Sequence, residues 1–379
     1  MKKRLAIWGA GRNGYVAYHA YRDKYDIGFY VDSDENKWNT FLNGIPVKKP
    51  DELRNNKILV LIALRWGVDV VKRKLAEEYG IENFIVFSIN EDDSIILTFG
   101  GGLGNQLFQY ALYKRLETMG KCLYADLSLY NNPQAMRFEI ADIFSNVKIK
   151  KCNNNTVHEL IKRNTTDFFK PVSFTIYSEA SIYDMREKKA DMNLLNISSG
   201  IIKGMFQTRE FAEQIKAELI ETLVFPTDTE KKLHIISEQF KEKNIIGIHI
   251  RRGDYLDDAN KRFYENICTD SYYQQAIEYV IKLTKDGVLC FFSDDIEWVK
   301  RHYKVEDAIY VEEKMFDHYQ SWYDMYLMSI CSHNIIANST FSWWGAWLNQ
   351  NPDKIVIAPK KWVNQCEYID IYPEGWIRM

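Results

Sequence analysis

From residue 226 to the C-terminus, short apolar runs alternate with helical stretches, and that alternation leaves few folds open. The runs fall at 245–250, 288–292, 309–311, 334–337 and 355–357. Helices are predicted between them at about 271–284, 296–303, 319–331 and up to 348. Strands joined by crossover-length helices specify a parallel, doubly wound sheet. Three of these strands end in polar clusters: His249 to Asp254, Ser293 to Asp295, and Asn338 to Ser342. Ligands of open α/β sheets sit at the carboxyl ends of the strands. The chain therefore brings these clusters to the place where such a fold builds a site.

The clusters differ in chemistry. Arg251 and Arg252 carry guanidinium forks that match phosphate oxygens in charge and shape. The plainer reading of the same residues is a surface ion pair with Asp254. Ser339, Thr340 and Ser342 offer hydroxyls and helix N-terminal amides to a phosphate, or simply cap the next helix. Asp294 can accept from the two N–H donors on one edge of guanine, while Asp295 suits an N-cap. Trp343 and Trp347 share a helix face and read as core.

A second α/β segment is predicted from 94 to 225. Its first strand, 94–99, runs into a glycine loop, Gly100-Gly101-Gly102-Leu103-Gly104, followed by Asn105, Gln106 and a helix from about Leu107. Two amides at a helix start can reach an anion or sugar hydroxyls, although Asn105 as a plain N-cap explains them equally. A strand follows at 122–126. Residues 131–200 are irregular and are read as a cover over a cleft, where an acceptor would be chosen. One helix is predicted at 210–222.

Residues 1–93 open with another glycine pattern. A strand at 5–8 leads into Gly9, Gly11 and Gly14, then a helix from about Tyr15, a strand at 27–31, and Asp32. Strand, GxGxxG, helix, strand and acid form the dinucleotide fingerprint in its proper context. The unit is predicted to hold four strands at most and shows no catalytic residue, so an accessory or oligomerising role competes with nucleotide binding.

The formal net charge is −3, which gives no field to hold nucleic acid. The six cysteines include no CxxC pair and no histidines cluster beside them, which argues against structural zinc and against a disulfide framework. No run reaches the length of a membrane span and the N-terminus lacks a signal-peptide core, so a cytoplasmic location is expected.

The motifs Gly101-Gly102-Leu103-Gly104-Asn105-Gln106, His249-Ile250-Arg251-Arg252-Gly253-Asp254, Phe292-Ser293-Asp294-Asp295 and Asn338-Ser339-Thr340-Phe341-Ser342-Trp343-Trp344 together resemble the bacterial α-1,2-fucosyltransferases. The likeness runs from about residue 95 to 379, with the first 93 residues additional to it. It implies a GT-B fold of two Rossmann-like domains, 94–225 on the acceptor side and 226–379 binding the GDP-sugar, preceded by a small Rossmann-like module at 1–93. It implies inverting, metal-independent transfer of fucose from GDP-β-L-fucose to the 2-hydroxyl of a galactose-containing oligosaccharide or lipid-linked glycan. No cofactor is expected. Carried over, Arg251 meets the β-phosphate, Asp294 the guanine, and Ser339, Thr340 and Phe341 the pyrophosphate. Gly102, Asn105, Gln106, His249, Arg252, Ser293 and Asn338 complete the donor site, with Asp254 and Asn105 as alternative proton acceptors. Peripheral contact with the inner membrane face and self-association stay open. The rivals are a fucosyltransferase of other linkage, a transferase of another GDP-6-deoxyhexose, a carbohydrate-binding protein without catalysis, and an NAD-dependent oxidoreductase argued from Gly9, Gly11, Gly14 and Asp32.

Overall fold

The computed structural model describes residues 2–22, 24–54, 58–64, 67–87, 94–132, 136–152, 174–180, 186–197, 199–227 and 230–379. They fall into two compact units, 2–87 and 94–379. The first is a six-stranded sheet of β1 (Lys3–Trp8), β2 (Tyr25–Val31), β3 (Phe41–Leu42), β4 (Ile45–Lys48), β5 (Leu59–Ile62) and β6 (Phe84–Val86), in the order β3-β4-β2-β1-β5-β6. Helices α1 (Arg12–Tyr21) and α2 (Val68–Glu77) connect its strands. The unit has more strands than the four predicted. Asn43 and Gly44, both at positive φ, turn β3 back on β4 and extend the edge. Helix α1 also starts earlier than expected, directly after Gly11. A Cβ on Gly14 would lie 1.8 Å from the Gly9 carbonyl oxygen, so only glycine lets the helix cross the strand end this closely.

The second unit holds two parallel sheets. The first contains β7 (Ser94–Thr98), β8 (Cys122–Asp126), β9 (Phe174–Ser178) and β11 (Ser199–Lys203), in the order β8-β7-β11-β9, with β10 (Glu187–Lys188) outside it. Helices α3 (Leu103–Thr118), α4 (Ile140–Ile143), α5 (Arg209–Glu213) and α6 (Lys216–Thr222) accompany it. The single helix predicted at 210–222 is thus two. The second sheet contains β12 (Ile245–Ile250), β13 (Val288–Ser293), β14 (Ile309–Tyr310), β15 (His333–Ile335), β16 (Val356–Ala358) and β18 (Ile377–Arg378), in the order β14-β13-β12-β15-β16-β18. Its helices are α7 (Lys231–Lys241), α8 (Asp258–Tyr264), α9 (Asp270–Thr284), α10 (Ile296–His302), α11 (Trp322–Ser329) and α12 (Thr340–Leu348). Every pairing in these two sheets is parallel, as the helix-separated apolar runs require.

Residues beyond β16 carry two strands that the sequence did not announce. β18 extends the second sheet, and β17 (Glu367–Tyr368) pairs instead with β10. Asp370 strengthens that return: its Oδ2 accepts from the Ala190 N–H at 2.7 Å, and its carbonyl accepts from the Arg209 N–H at 2.9 Å. The chain end therefore straps the first half of the unit to the second.

An aromatic ridge joins the same halves. Phe108 on α3 packs 4.6 Å from Trp343 and 5.2 Å from Trp344 on α12. Trp343, Trp344 and Trp347 are all buried. Trp343 donates to the Ile371 carbonyl and Trp347 to Glu213 Oε1, which satisfies two of the three indole N–H groups. Truncating a buried tryptophan to alanine typically costs about 3–5 kcal/mol. This ridge fixes how the first turns of α3 and α12 meet. A Cβ on Gly104 would lie 2.5 Å from the Thr340 carbonyl carbon and 2.6 Å from the Phe341 nitrogen, so the two helix starts touch at a glycine.

Candidate active site

The end of β12 delivers the arginine cluster. Arg251 lies between two carboxylates, with Nη2 2.6 Å from Asp254 Oδ1 and Nη1 2.9 Å from Asp294 Oδ2. Burial works against its charge, but the Coulombic pull of Asp294 and Asp254 outweighs it and raises the pKa. Asp294 is anchored a second time, its Oδ1 accepting from the Arg252 N–H at 2.9 Å. Gly253 makes room for this arrangement: a Cβ there would fall 2.3 Å from Asp294 Oδ2. One oxygen of Asp294 thus aims Arg251 and the other holds the loop at Arg252, and each keeps a further lone pair on the cleft side.

Arg252 does not line the cleft. Its Nε bonds Asp295 at 3.1 Å and its guanidinium lies 3.6 Å over the Trp298 ring, so it braces the loop from behind. Asp295 also caps α10 through the Trp298 N–H. Ser293 Oγ accepts from the Asp295 N–H. His249 is buried, its Nδ1 has no hydrogen-bond partner, and burial, with a smaller push from Arg251, lowers its pKa to about 3. It is therefore a neutral imidazole at the cleft. Asn338 supports the floor: its Nδ2 donates to the Trp362 carbonyl, and its own carbonyl accepts from the Tyr255 hydroxyl. The Ser339 hydroxyl makes no cap to α12, which leaves the helix start open beside Thr340 and Phe341.

On the facing wall, α3 begins at Leu103, with Gly102 as its N-cap and no side-chain cap. Asn105 is therefore not the cap. Gln106 is not a ligand group either. It is fully buried, its Nε2 donating to the Gly101 and Arg137 carbonyls and its Oε1 accepting from the Glu139 and Ile140 N–H groups. All of its hydrogen-bonding capacity goes into holding the loop. Asn105 is oriented by a relay. The Trp362 indole can only donate, and it does so to Gln207 Oε1 at 2.9 Å. Gln207 Nε2 must then face Asn105 Oδ1, also at 2.9 Å. That leaves the Asn105 Nδ2 as the free end, a donor, which suits a ligand oxygen and not the proton-accepting role.

These two walls enclose a cleft of about 640 Å³, ample for a nucleotide sugar. Of the residues the sequence assigned to a donor site, Gln106 and Arg252 stand apart and the others line the cleft. The open N-termini of α3 and α12 converge there with Arg251, concentrating backbone N–H groups and one fixed cation on a single volume. Among the described residues no cluster of metal-ligating side chains is present, and no helix is long and apolar enough to cross a membrane.

The comparison with known families decides what this cleft belongs to. Residues 97–379 match the profile of glycosyl transferase family 11. The chain belongs to that family. The family 11 chain is 30% identical over 313 residues to the O-antigen biosynthesis glycosyltransferase WbnK of Escherichia coli, covering 74% of this chain and 98% of that protein. It is 30% identical over 291 residues to an alpha-1,2-colitosyltransferase of Escherichia coli, covering 75% and 98%. It is 24% identical over 182 residues to galactoside alpha-(1,2)-fucosyltransferase 1 of Ateles belzebuth, covering 46% and 50%.

Several cleft residues of this glycosyltransferase escaped the sequence reading, Gln207, Trp362 and Asp324 among them. Asp324 on α11 is buried, lines the cleft, and has an Oδ1 without a partner. Burial raises its pKa to about 7, against a hydrogen bond from Tyr319 that lowers it. In sequence it hides in an apolar helix, where its only signal is that it is the lone acid among core positions. The Gly9 to Gly14 loop belongs to the first unit. There Asp32 Oδ2 accepts from the Ala10 N–H at 2.7 Å and from Lys37 at 3.2 Å, so the acid of the fingerprint is spent on its own glycine loop.

Proposed function

We propose that this family 11 glycosyltransferase moves L-fucose from GDP-β-L-fucose to the 2-hydroxyl of a galactoside, with inversion, on a GT-B arrangement of two Rossmann-like halves. The observation that carries the reading is the convergence of Arg251 with the open starts of α3 and α12 in one cleft. Glycosyl transfer passes through an oxocarbenium-like state as a diphosphate departs. Preorganised N–H groups and a fixed cation stabilise the charge gathering on that diphosphate more than they stabilise the ground state. Arg251 takes the β-phosphate, and Asp294 holds the guanidinium in line.

The nucleobase is read by Asp324 and His249. A carboxylate accepts from guanine N1–H and the exocyclic amine together, and a neutral imidazole can donate to O6. Both groups are buried and carry an unpartnered atom, a costly state that a guanine edge relieves. Asp254 contacts Arg251 at 2.6 Å, so it lies with the leaving-group cation and is not assigned as the base. Transfer needs no metal, because Arg251 and the helix starts supply the countercharge, so activity persists in excess chelator. The relative named for O-antigen biosynthesis supports a lipid-linked surface glycan as acceptor, met at the inner membrane face.

The test is incubation of the purified protein with GDP-fucose and a panel of β-galactosides, followed by mass and linkage analysis. An α-1,2-linked fucosyl product is expected. A second donor, GDP-colitose, belongs in the same panel, because the alpha-1,2-colitosyltransferase relative is 30% identical. Exclusive use of that donor would replace fucose in this reading, and turnover of neither would end it.

A further inference from the structure

We infer that Lys188, with Tyr368 and Tyr264, forms the subsite for the acceptor sugar, and that this subsite takes a neutral hexopyranoside. The inference rests on the glycosyl-transfer reading above and names the substrate class on the other side of the same cleft. Lys188 is 5% exposed, yet it lines the cleft. Its Nζ sits 3.0 Å from Glu179 Oε1 and 5.2 Å over the Tyr368 ring. An ammonium has three N–H donors, and among the described residues only Glu179 accepts one. Two donors on a buried cation therefore look for acceptors that the described residues do not supply, and burying them unpaired would be costly.

The surroundings select the ligand. Glu179 Oε2 accepts from the Met205 and Phe206 N–H groups at 2.8 and 3.1 Å, so this carboxylate is fully engaged and fixed. Gly204 permits that contact, since a Cβ there would lie 2.5 Å from the Glu179 Cβ. The ion pair is formally neutral. It therefore has little to offer a phosphate or a carboxylate, which Arg251 and the helix starts already attract, and its spare N–H groups suit hydroxyl oxygens. Aromatic rings line the same cleft: Tyr368, with one face under the ammonium, and the stacked pair Tyr264 and Tyr255, 4.0 Å apart. Ring faces for the apolar side of a pyranose, beside a few fixed polar donors, are the general make-up of a specific small-ligand pocket. Apart from Tyr264 on α8, the wall also comes from different chain segments than the donor wall. Glu179 follows β9, Lys188 lies on β10, and Tyr368 lies on the returning β17.

Steady-state kinetics of Lys188→Met, with donor and acceptor varied separately, test this. The acceptor KM should rise about 10- to 100-fold, the range set by losing hydrogen bonds from a charged donor. The donor KM and the GDP Kd from calorimetry should stay within about twofold. Lys188→Met strands the Glu179 charge and could unfold the chain, which loss of GDP binding would reveal. Tyr368→Leu leaves the ion pair intact and should show the same split between acceptor and donor. Unchanged acceptor KM in Tyr368→Leu and in folded Lys188→Met, or a donor KM that rises as much, overturns the subsite. If the unaltered protein transfers no sugar to any galactoside, the functional reading fails first and the subsite falls with it.

Discussion

Replacing Asp324 by asparagine should make the free protein more stable and its nucleotide site weaker, two effects of opposite sign from one carboxyl. Burial holds this acid near 7, against an ordinary value of 3.8, with the Tyr319 hydrogen bond pulling it back. The folded state therefore binds the proton more tightly than the unfolded state does. The stability linked to that proton is fully present below about pH 3.8 and is lost as pH rises through about 7. The gap is worth about 4 kcal/mol at pH 8. Asp324→Asn removes the cost, so its melting temperature should exceed that of the unaltered protein by several degrees at pH 8. The advantage should vanish near pH 4.

Guanine recognition runs the other way. Only the carboxylate accepts from two N–H donors, so the apparent GDP Kd should scale as one plus the protonated-to-ionised ratio of Asp324. With a pKa of about 7, affinity weakens about tenfold between pH 8 and pH 6. The phosphate of GDP titrates in the same window, and the variant isolates that contribution. At pH 8, Asp324→Asn should bind GDP about 10- to 100-fold more weakly, the loss expected for a charge-assisted pair. An asparagine offers one acceptor and one donor, which matches the N1–H and O2 of xanthine. The variant should therefore prefer XDP to GDP. Calorimetry at pH 6 and 8 with GDP and XDP reads all of this. Unaltered GDP affinity with the same pH response in Asp324→Asn would refute the assignment of guanine to this residue.

Three further outcomes follow from the cleft. Arg251→Ala should lower kcat about 100- to 1,000-fold with the melting curve little changed, since it removes a charge aimed at the leaving group; near-normal turnover would remove Arg251 from the chemistry. Gly104→Ala sets a methyl 2.5 Å from the Thr340 backbone and should cost about 1–3 kcal/mol of stability by denaturant melting while raising the GDP Kd, because it parts the two helix starts. Trp362→Phe keeps the ring but deletes the donor that orients Gln207 and Asn105; kcat should fall about tenfold with acceptor KM nearly constant, the loss expected from one misplaced hydrogen bond, and an unchanged kcat would show that the relay orients nothing.

Much of this architecture is legible in the chain because parallel strands are buried on both faces and so appear as unbroken apolar runs. The run at Ile245 to Ile250 and its polar end by themselves place Arg251 at a sheet rim. What escaped has a common physical cause: its meaning depends on partners distant in sequence. Gln106 carries the right chemistry for an anion, but the carbonyl of Arg137 and the N–H groups of Glu139 and Ile140 consume it. Asp294 faces the cleft, and the arginine 43 positions earlier that shares one of its oxygens is not visible in the spacing. Asp324 sits in a helix whose described side chains are all buried, so periodicity marks it as core. The strap β17 is two residues long and pairs with a two-residue partner, below the length at which alternation can be recognised.

The carboxylates around Arg251 bear on how the donor enters. With Asp254 and Asp294 both engaged, the three groups sum to one negative charge, and as such they would repel a diphosphate. The two acids are not equally held. Asp294 is fixed by the Arg252 N–H as well as by Arg251, and its side chain is 24% exposed. Asp254 is 46% exposed and, among the described residues, its carboxylate is held only by the 2.6 Å contact with Arg251. Exposed pairs of this kind contribute about 0–1 kcal/mol, less than the helix starts and a bidentate phosphate contact together return. On the proposed reading, a diphosphate therefore displaces Asp254 and leaves Asp294 in place, so that Arg251 arrives already aimed. Asp254→Asn should then tighten GDP binding and flatten its salt dependence, whereas weaker binding in that variant would mean that Asp254 belongs to the bound state.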